Sequence, residues 1–546
     1  MSRIANEVKK NRGTTTVTNF MGGKNYTLSA LQTLKMISAS SIFGEPSYYR
    51  PSKESPRQVD KLIAPYDMLA PYKGRTTTQI MEDAIDKALD ENFGATLEWA
   101  IQLRHEYNMR LNPQVIMVRA AIHPKREEYT KANPGFFSYY QNKVMRRADE
   151  PATQVAYYLY QNNNSKKNMP NILKKTIAAR LEKATAYELN KYKNAEIGMI
   201  DTIRITHANS ALINDLMLGM LEVDEEEQTW EQMRSAGKGW YEIYHTVNMG
   251  HMALLRNLRG VFTEVNEINF CKEYLTKLKN GVLGGKQFPF RYYSAYKAVK
   301  ECHEINFQSM ILSALEECVD ISLDNMPKFE GRLMALTDNS GSAWGTITTE
   351  YGSVTVAEID NLSAVIAAAR AEDGYVGKFG DKLKVFPINH RKGILAQAHE
   401  ITKNRDDDVG GSTEGGVWEF FKDAIDHKEH WDHIFIFSDQ QAGHGKLYGT
   451  SNQAEQYNAR KYGIDHGYWC SMMNVFEMIQ TYRRKVYDKV NVYSIQTAGY
   501  DNMVVPEHAY RTSIFSGWNG NFLTFADMVN KQWDEVDNSF DNCHWE

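Results

Sequence analysis

"RLMALTDNSGSAWGT", residues 332–346, decides how the second half of the chain is read. Leu333–Thr337 is a short apolar run with no alternation, the pattern of a strand buried on both faces. It stops at Asp338, and Ser340 and Ser342 follow at every second position. One carboxylate and two hydroxyls directly after a buried strand form a hard oxygen donor set suited to Mg²⁺ or Ca²⁺. A turn cap is the simpler reading of Asp338.

Outward from this stretch the pattern stays the same. Helix is expected around 354–371, a hairpin over 376–388, and helices over 392–402 and 416–427. Strand HIFIFS (433–438), helices within 452–487, strands over 490–496 and 512–515 and a helix over 521–533 complete the series. Short buried strands alternating with helices predict a mainly parallel, doubly wound α/β sheet. Ligands of such sheets sit at the carboxyl ends of strands, where Asp338 and Asp439 both fall. The glycine-rich loop GGSTEGGVWEFF (410–421) presents Thr413 just before a helix. Asp338, Ser340, Ser342, Thr413 and Asp439 are therefore the candidate ligands of a divalent cation, with Mg²⁺ the expected ion.

Upstream the grammar is helical from about Asn25 to Ile321. In TTTQIMEDAIDKALDENFGATLEWAIQL (76–103) apolar residues recur on one face, break at Asn92–Gly94, and recur again. PNILKKTIAARLEKATAYELNKYK (170–193) repeats the theme behind Pro170. Paired helices over some 300 residues predict an α-solenoid of HEAT or armadillo type. The expected division is 1–327 for the helical module and 328–546 for the sheet domain.

The totals fit this reading. A chain of 546 residues, 42% hydrophobic and 24% charged, has the composition of a globular protein of several domains. Its five cysteines form no CxxC pair, which argues against a disulfide framework or a zinc ribbon. The polar N-terminus and the lack of a long apolar stretch predict a cytoplasmic protein with no membrane partner. Charge is unevenly spread. Residues 101–200 carry 17 Lys+Arg against 8 Asp+Glu, a net +9 that leaves −14 on the rest of a −5 chain. A basic third in an acidic protein is the footprint of a polyanion surface or of an ordinary solvated helical face.

Two stretches of the helical half carry a specific resemblance. MGHMALLRNLRGVFTE (249–264) resembles the signature helix of the TROVE module, and DTIRITHANS (201–210) its Arg-x-x-His segment. The Asp338-x-Ser340-x-Ser342, Thr413 and Asp439 order resembles the metal-ion-dependent adhesion site of a von Willebrand factor A domain. Together they are similar to the Ro ribonucleoprotein autoantigen family. The resemblance implies a ring of HEAT-like repeats closed by the A domain, most simply a monomeric ring. It implies binding of single-stranded RNA ends in the hole and of structured noncoding RNA, Y-like or misfolded, on a basic outer face. It further implies a possible 3′ exoribonuclease partner such as polynucleotide phosphorylase. Matched position by position, the family's RNA-contacting residues fall on Lys174, Lys175, Lys191, Lys193, Arg204 and His207. Ala208-Asn209 stand where the family has Lys-Pro, and a segment is inserted after Asp439. For His207 the residue-level alternative is a histidine satisfied inside the core.

Other signals are set aside. NGVLGGKQF (280–288) lacks the spacing and the Ser/Thr of a P-loop. His427, His430 and His433 in DHKEHWDH do not predict converging zinc ligands. No nucleophile–base pair or two-metal carboxylate set is recognisable, so no enzyme activity is expected. The rival to RNA binding is a metal-dependent protein-interaction scaffold.

Overall fold

The structure is a computed structural model. It describes residues 16–18, 24–39, 77–193, 198–224, 226, 228–345, 355–403, 409–410, 416–440, 475–497, 502–507, 509–517 and 521–541.

The helical half follows its apolar period. Helix α1 (Ala30–Ala39) packs against α2 (Thr77–Glu91), and α3 (Phe93–His105) against α4 (Asn112–Ile122). The predicted break is a single residue: Asn92 leaves helical geometry and its side chain accepts from the Ala95 N–H, capping α3. Helices α5 (Phe136–Val144), α6 (Glu150–Gln161), α7 (Asn171–Leu181), α8 (Ala186–Tyr192), α9 (Met199–Thr206) and α10 (Ala211–Leu218) continue the stack. After two short helices come α11 (His251–Glu264), α12 (Ile268–Asn280), α13 (Pro289–Lys300) and α14 (Gln308–Ser322). The signature helix α11 turns Leu254, Leu255, Leu258, Val261 and Phe262 into the core and leaves Arg256 and Arg259 exposed.

The second half is a six-stranded sheet. Its strands are β3 (Phe329–Asp338), β4 (Ala371–Phe379), β5 (Leu383–Pro387), β6 (His433–Ser438), β7 (Asn491–Gln496) and β9 (Thr512–Ser516). They lie in the order β5-β4-β3-β6-β7-β9, all parallel except β5, which pairs antiparallel at the edge. Alternate residues serve opposite cores, as the pleat requires. Leu333, Ala335, Phe435, Phe437, Tyr493 and Ile495 face α15 (Val356–Ala369), α16 (Ile394–Thr402) and α17 (Asn521–Asp541). Met334, Leu336, Ile434, Ile436 and Val492 face the helices Gly416–Asp426 and Val475–Lys485. Two-sided burial explains why these strands read as unbroken apolar runs.

Two contacts run against the sequence reading of the N-terminal region as purely helical. Strands β1 (Thr16–Thr18) and β2 (Lys24–Thr27) form a hairpin whose second strand pairs with β8 (Asn502–Met503), in register Tyr26↔Met503. This strand pair is thus held by the sheet half. Ser29 reinforces this, donating from N and Oγ to Glu507 at 3.0 and 2.9 Å. Helix α1 also touches the domain, since Ser516 Oγ donates to the Lys35 carbonyl at 2.9 Å. Tyr107, just after α3, stacks on Phe525 of α17. At the other end of the helical array, Asp320 of α14 accepts from the Ile394 N–H at 3.2 Å. The helical layers therefore begin and end on the sheet domain, and the chain closes on itself. Among the described residues no helix is long and apolar enough to cross a membrane.

Candidate metal and nucleic-acid sites

Strand β3 delivers Asp338 to its carboxyl end fully buried, with Asn339 and Ser340 almost equally enclosed. Asp338 Oδ1 accepts from the Ser340 N–H at 2.9 Å and Oδ2 from the Ser438 hydroxyl at 2.6 Å. Burial pushes the Asp338 carboxyl up, against hydrogen bonds from Ser438, Ser340 and the Asp439 backbone that favour its charged form. The Ser340 and Ser342 hydroxyls lie 3.0 Å apart. Asp439 ends β6 beside them and is buried. The structure therefore brings Asp338, Ser340, Ser342 and Asp439 to one place, while Thr413 lies outside the described residues.

Beneath the loop is a polar cluster that sequence reading did not single out. Asn361 of α15 accepts from Thr337 Oγ1 at 2.8 Å and exchanges two hydrogen bonds with the Asn339 amide, at 2.9 and 3.0 Å. Its neighbour Asp360 is also fully buried and accepts from Thr497 Oγ1 at 3.1 Å. On the other side Gln440, buried and in the left-handed region (φ 62°), accepts from Ser494 and donates to the Ile495 carbonyl. Its own carbonyl accepts from Asn25 Nδ2 of β2 at 2.8 Å. The adjacent polar pair Asp360-Asn361 inside the apolar helix VAEIDNLSAVIAAA was the sequence signal for this cluster.

The donor set is mostly hydroxyl. Among the described residues no three His, Cys, Asp or Glu side chains converge on a single metal position. Two serine hydroxyls backed by buried carboxylates fit a hard divalent cation, which accepts neutral oxygens and retains several waters. The orphaned, buried Asp360 Oδ1 fits the same interpretation, because an uncompensated carboxylate oxygen in an enclosed site calls for a cation or water. The three histidines of DHKEHWDH do not meet: His427 is exposed, His430 bonds Asp432, and His433 is buried against Phe329 and Tyr493.

The cationic candidates lie on neighbouring helices. Lys174 and Lys175 sit on α7, which packs against α9, the helix carrying Arg204. Lys175, Lys191, Arg204 and His207 are exposed, and Lys174 and Lys193 half-buried. His207 is no core residue. It caps α9 in the left-handed conformation (φ 60°), its N–H donating to the Ile203 carbonyl. Arg204 is 66% exposed and lies 3.7 Å from Asp201. Lys191 Nζ stands over the Tyr187 and Tyr192 rings, at 5.3 and 5.7 Å.

The rest of the basic third divides by residue type. Arg104 pairs with Glu150, Arg119 with Asp86, Arg147 with Asp149 and Arg180 with Glu188. Lys131, Lys143, Lys166, Lys167, Lys175 and Lys183 are exposed, with no ion pair to a described residue. Four arginines are thus tied by ion pairs and six lysines are left to the surface, with Lys125, paired with Asp90, and Arg146, exposed with no ion pair to a described residue, as exceptions. Of the aromatic cluster at 136–140, Phe136, Phe137 and Tyr140 are core, but Tyr139 is 54% exposed.

No protein-family model matches the chain, and no curated protein matches it in sequence. The fold does find a counterpart. It is similar to the crystal structure of the Ro (RSR) protein of Deinococcus radiodurans, with a TM-score of 0.57 at 12% identity, covering 91% of this chain and 99% of that one. A helical array that begins and ends on a six-stranded α/β sheet is thus, in this chain, the fold of a Ro protein.

Proposed function

We propose that this chain is a non-catalytic RNA-binding protein. The observation that carries the reading is the division of labour among its cations. Lysines left free on the helical layers present mobile positive charge to a phosphate backbone, and phosphate neutralisation with counterion release supplies most non-specific affinity. Exposed Tyr139, Tyr160 and Tyr187 stand among these lysines and offer faces on which unpaired bases stack. Lys174, Lys175, Lys191, Lys193, Arg204 and His207 form one stretch of this surface. The RNA is Y-like or misfolded noncoding RNA, with single-stranded ends held inside the closed helical loop and structured parts on its outer basic face. Asp338, Ser340, Ser342, Thr413 and Asp439 hold Mg²⁺ in the sheet domain, which tethers a protein partner of the 3′ exoribonuclease class.

The test is recovery of the native protein, sequencing of any nucleic acid carried with it, and titration of labelled RNA at several salt concentrations. RNA on the native protein and binding that weakens steeply with salt are expected. A protein that carries no RNA and binds neither oligouridine nor structured RNA at low salt rules the proposal out. Metal-dependent partner capture with no RNA affinity would instead make it a protein scaffold.

A further inference from the structure

The strand-end cluster contains one carboxylate more than its donor pattern needs. Asp360 lies in the first half of α15, a helix buried on nearly every face. One oxygen, Oδ2, accepts from Thr497 Oγ1 at 3.1 Å; the other, Oδ1, is buried and finds no partner. Thr497 also donates its N–H to the Ser438 carbonyl at 3.2 Å, and the Ser438 hydroxyl bonds Asp338, so the enclosed carboxyls of Asp360, Asp338 and Asp439 gather at one end of the sheet, from α15 and from the ends of β3 and β6. Enclosing like charges is costly unless something positive joins them. The three carboxyls do not form a single direct ligand shell. Asp360 therefore acts at one remove.

We propose that Asp360 Oδ1 accepts a hydrogen bond from a water bound to the cation, making the site a three-carboxylate one that retains its ion without a carboxylate from a partner. This inference rests on the metal reading of Asp338, Ser340 and Ser342 given above. Its consequence is a change in what the ion does. An adhesion-type site leaves a coordination position for an acidic group of the partner. Here Asp360 supplies from within the chain the acidic group that a partner would otherwise bring. The ion instead ties α15 to the ends of β3 and β6. A partner docks on the surface so ordered rather than on the metal.

Mn²⁺ serves as the probe, with binding to the full chain followed by calorimetry and by electron paramagnetic resonance. The wild-type chain binds Mn²⁺, and Asp360→Asn weakens it about 10–100-fold, as for other residues that hold a metal-bound group. Acetate in large excess leaves the wild-type Mn²⁺ spectrum unchanged. Equal Mn²⁺ affinity in wild type and a folded Asp360→Asn overturns the role of Asp360 and leaves the metal reading standing. Should Asp360→Asn not fold, the acetate measurement decides, because a spectrum altered by acetate means an open position and overturns the proposal. A wild-type chain that binds no Mn²⁺ removes the metal reading itself.

Discussion

Changing Lys174, Lys175, Lys191 and Lys193 together to glutamine tests the electrostatic reasoning most directly. None of the four takes part in an ion pair between described residues, and each is exposed or half-buried. Their removal should leave the helical packing intact. For a single strand each neutralised phosphate contributes about 0.7 to the slope of log K against log salt, so four contacts contribute about 2.8. The same relation gives about five-fold in affinity per contact near 0.1 M salt, hence an upper bound of roughly 600-fold for all four. The assay is fluorescence anisotropy of a labelled oligouridine across a salt series. Arg180→Gln is the control. Its guanidinium is committed to Glu188 at 2.9 Å and to the Arg146 carbonyl at 2.9 Å, so its slope should match wild type. A quadruple variant with an unchanged slope, or an Arg180 variant that lowers it equally, refutes the division between structural arginines and RNA-binding lysines.

Arg104→Met should destabilise the helical half by about 3–5 kcal/mol in urea denaturation. It strands Glu150, whose pair with Arg104 at 2.7 Å is only 4% exposed on either side and whose carboxyl burial already pushes up. Replacing both partners by apolar residues should recover much of that loss. Stability should also fall in acid because of His433, where burial lowers the imidazole to about 4 from 6.5. The unfolded chain takes up that proton first, so the contribution is complete above pH 6.5 and lost between there and pH 4, about 3 kcal/mol in all. Urea titrations at neutral and acid pH should show this component in wild type and not in His433→Gln. Asn25→Ala should cost about 1–3 kcal/mol, because the buried Gln440 carbonyl loses its donor, and its effect should be read in the melting of the sheet half.

What the sequence disclosed and what it concealed follow from the range of the forces involved. Strands β3, β6 and β7 were visible because two-sided burial writes an apolar run, and the predicted 433–438 strand agrees with His433–Ser438 at both ends. The strand-end cluster was visible because Asp338, Ser340 and Ser342 are neighbours in the chain. Strands β1 and β2 were hidden although TTTVTNFMGGKNYT carries β-branched residues before a Gly-Gly pair. They are short, and what stabilises them is β8, some hundreds of positions away. The fate of each cation was hidden for the same reason. Arg119 and Lys131 are equivalent in a charge count, and only the fold gives Arg119 the Asp86 carboxylate and the Tyr157 hydroxyl. Asp360 was concealed by its setting, two positions after the capping Glu358 in the first turns of its helix, where it passes for a solvated position.

The β1–β2 hairpin bears on how the protein folds. Ser29 and Glu507 are 478 positions apart, so the hairpin cannot find its seat until the chain through Glu507 has been synthesised. Until then Tyr26, destined to pack edge-on against Phe476, has no native neighbour to cover it. A late act of folding is then a latch falling shut between two segments far apart in the sequence.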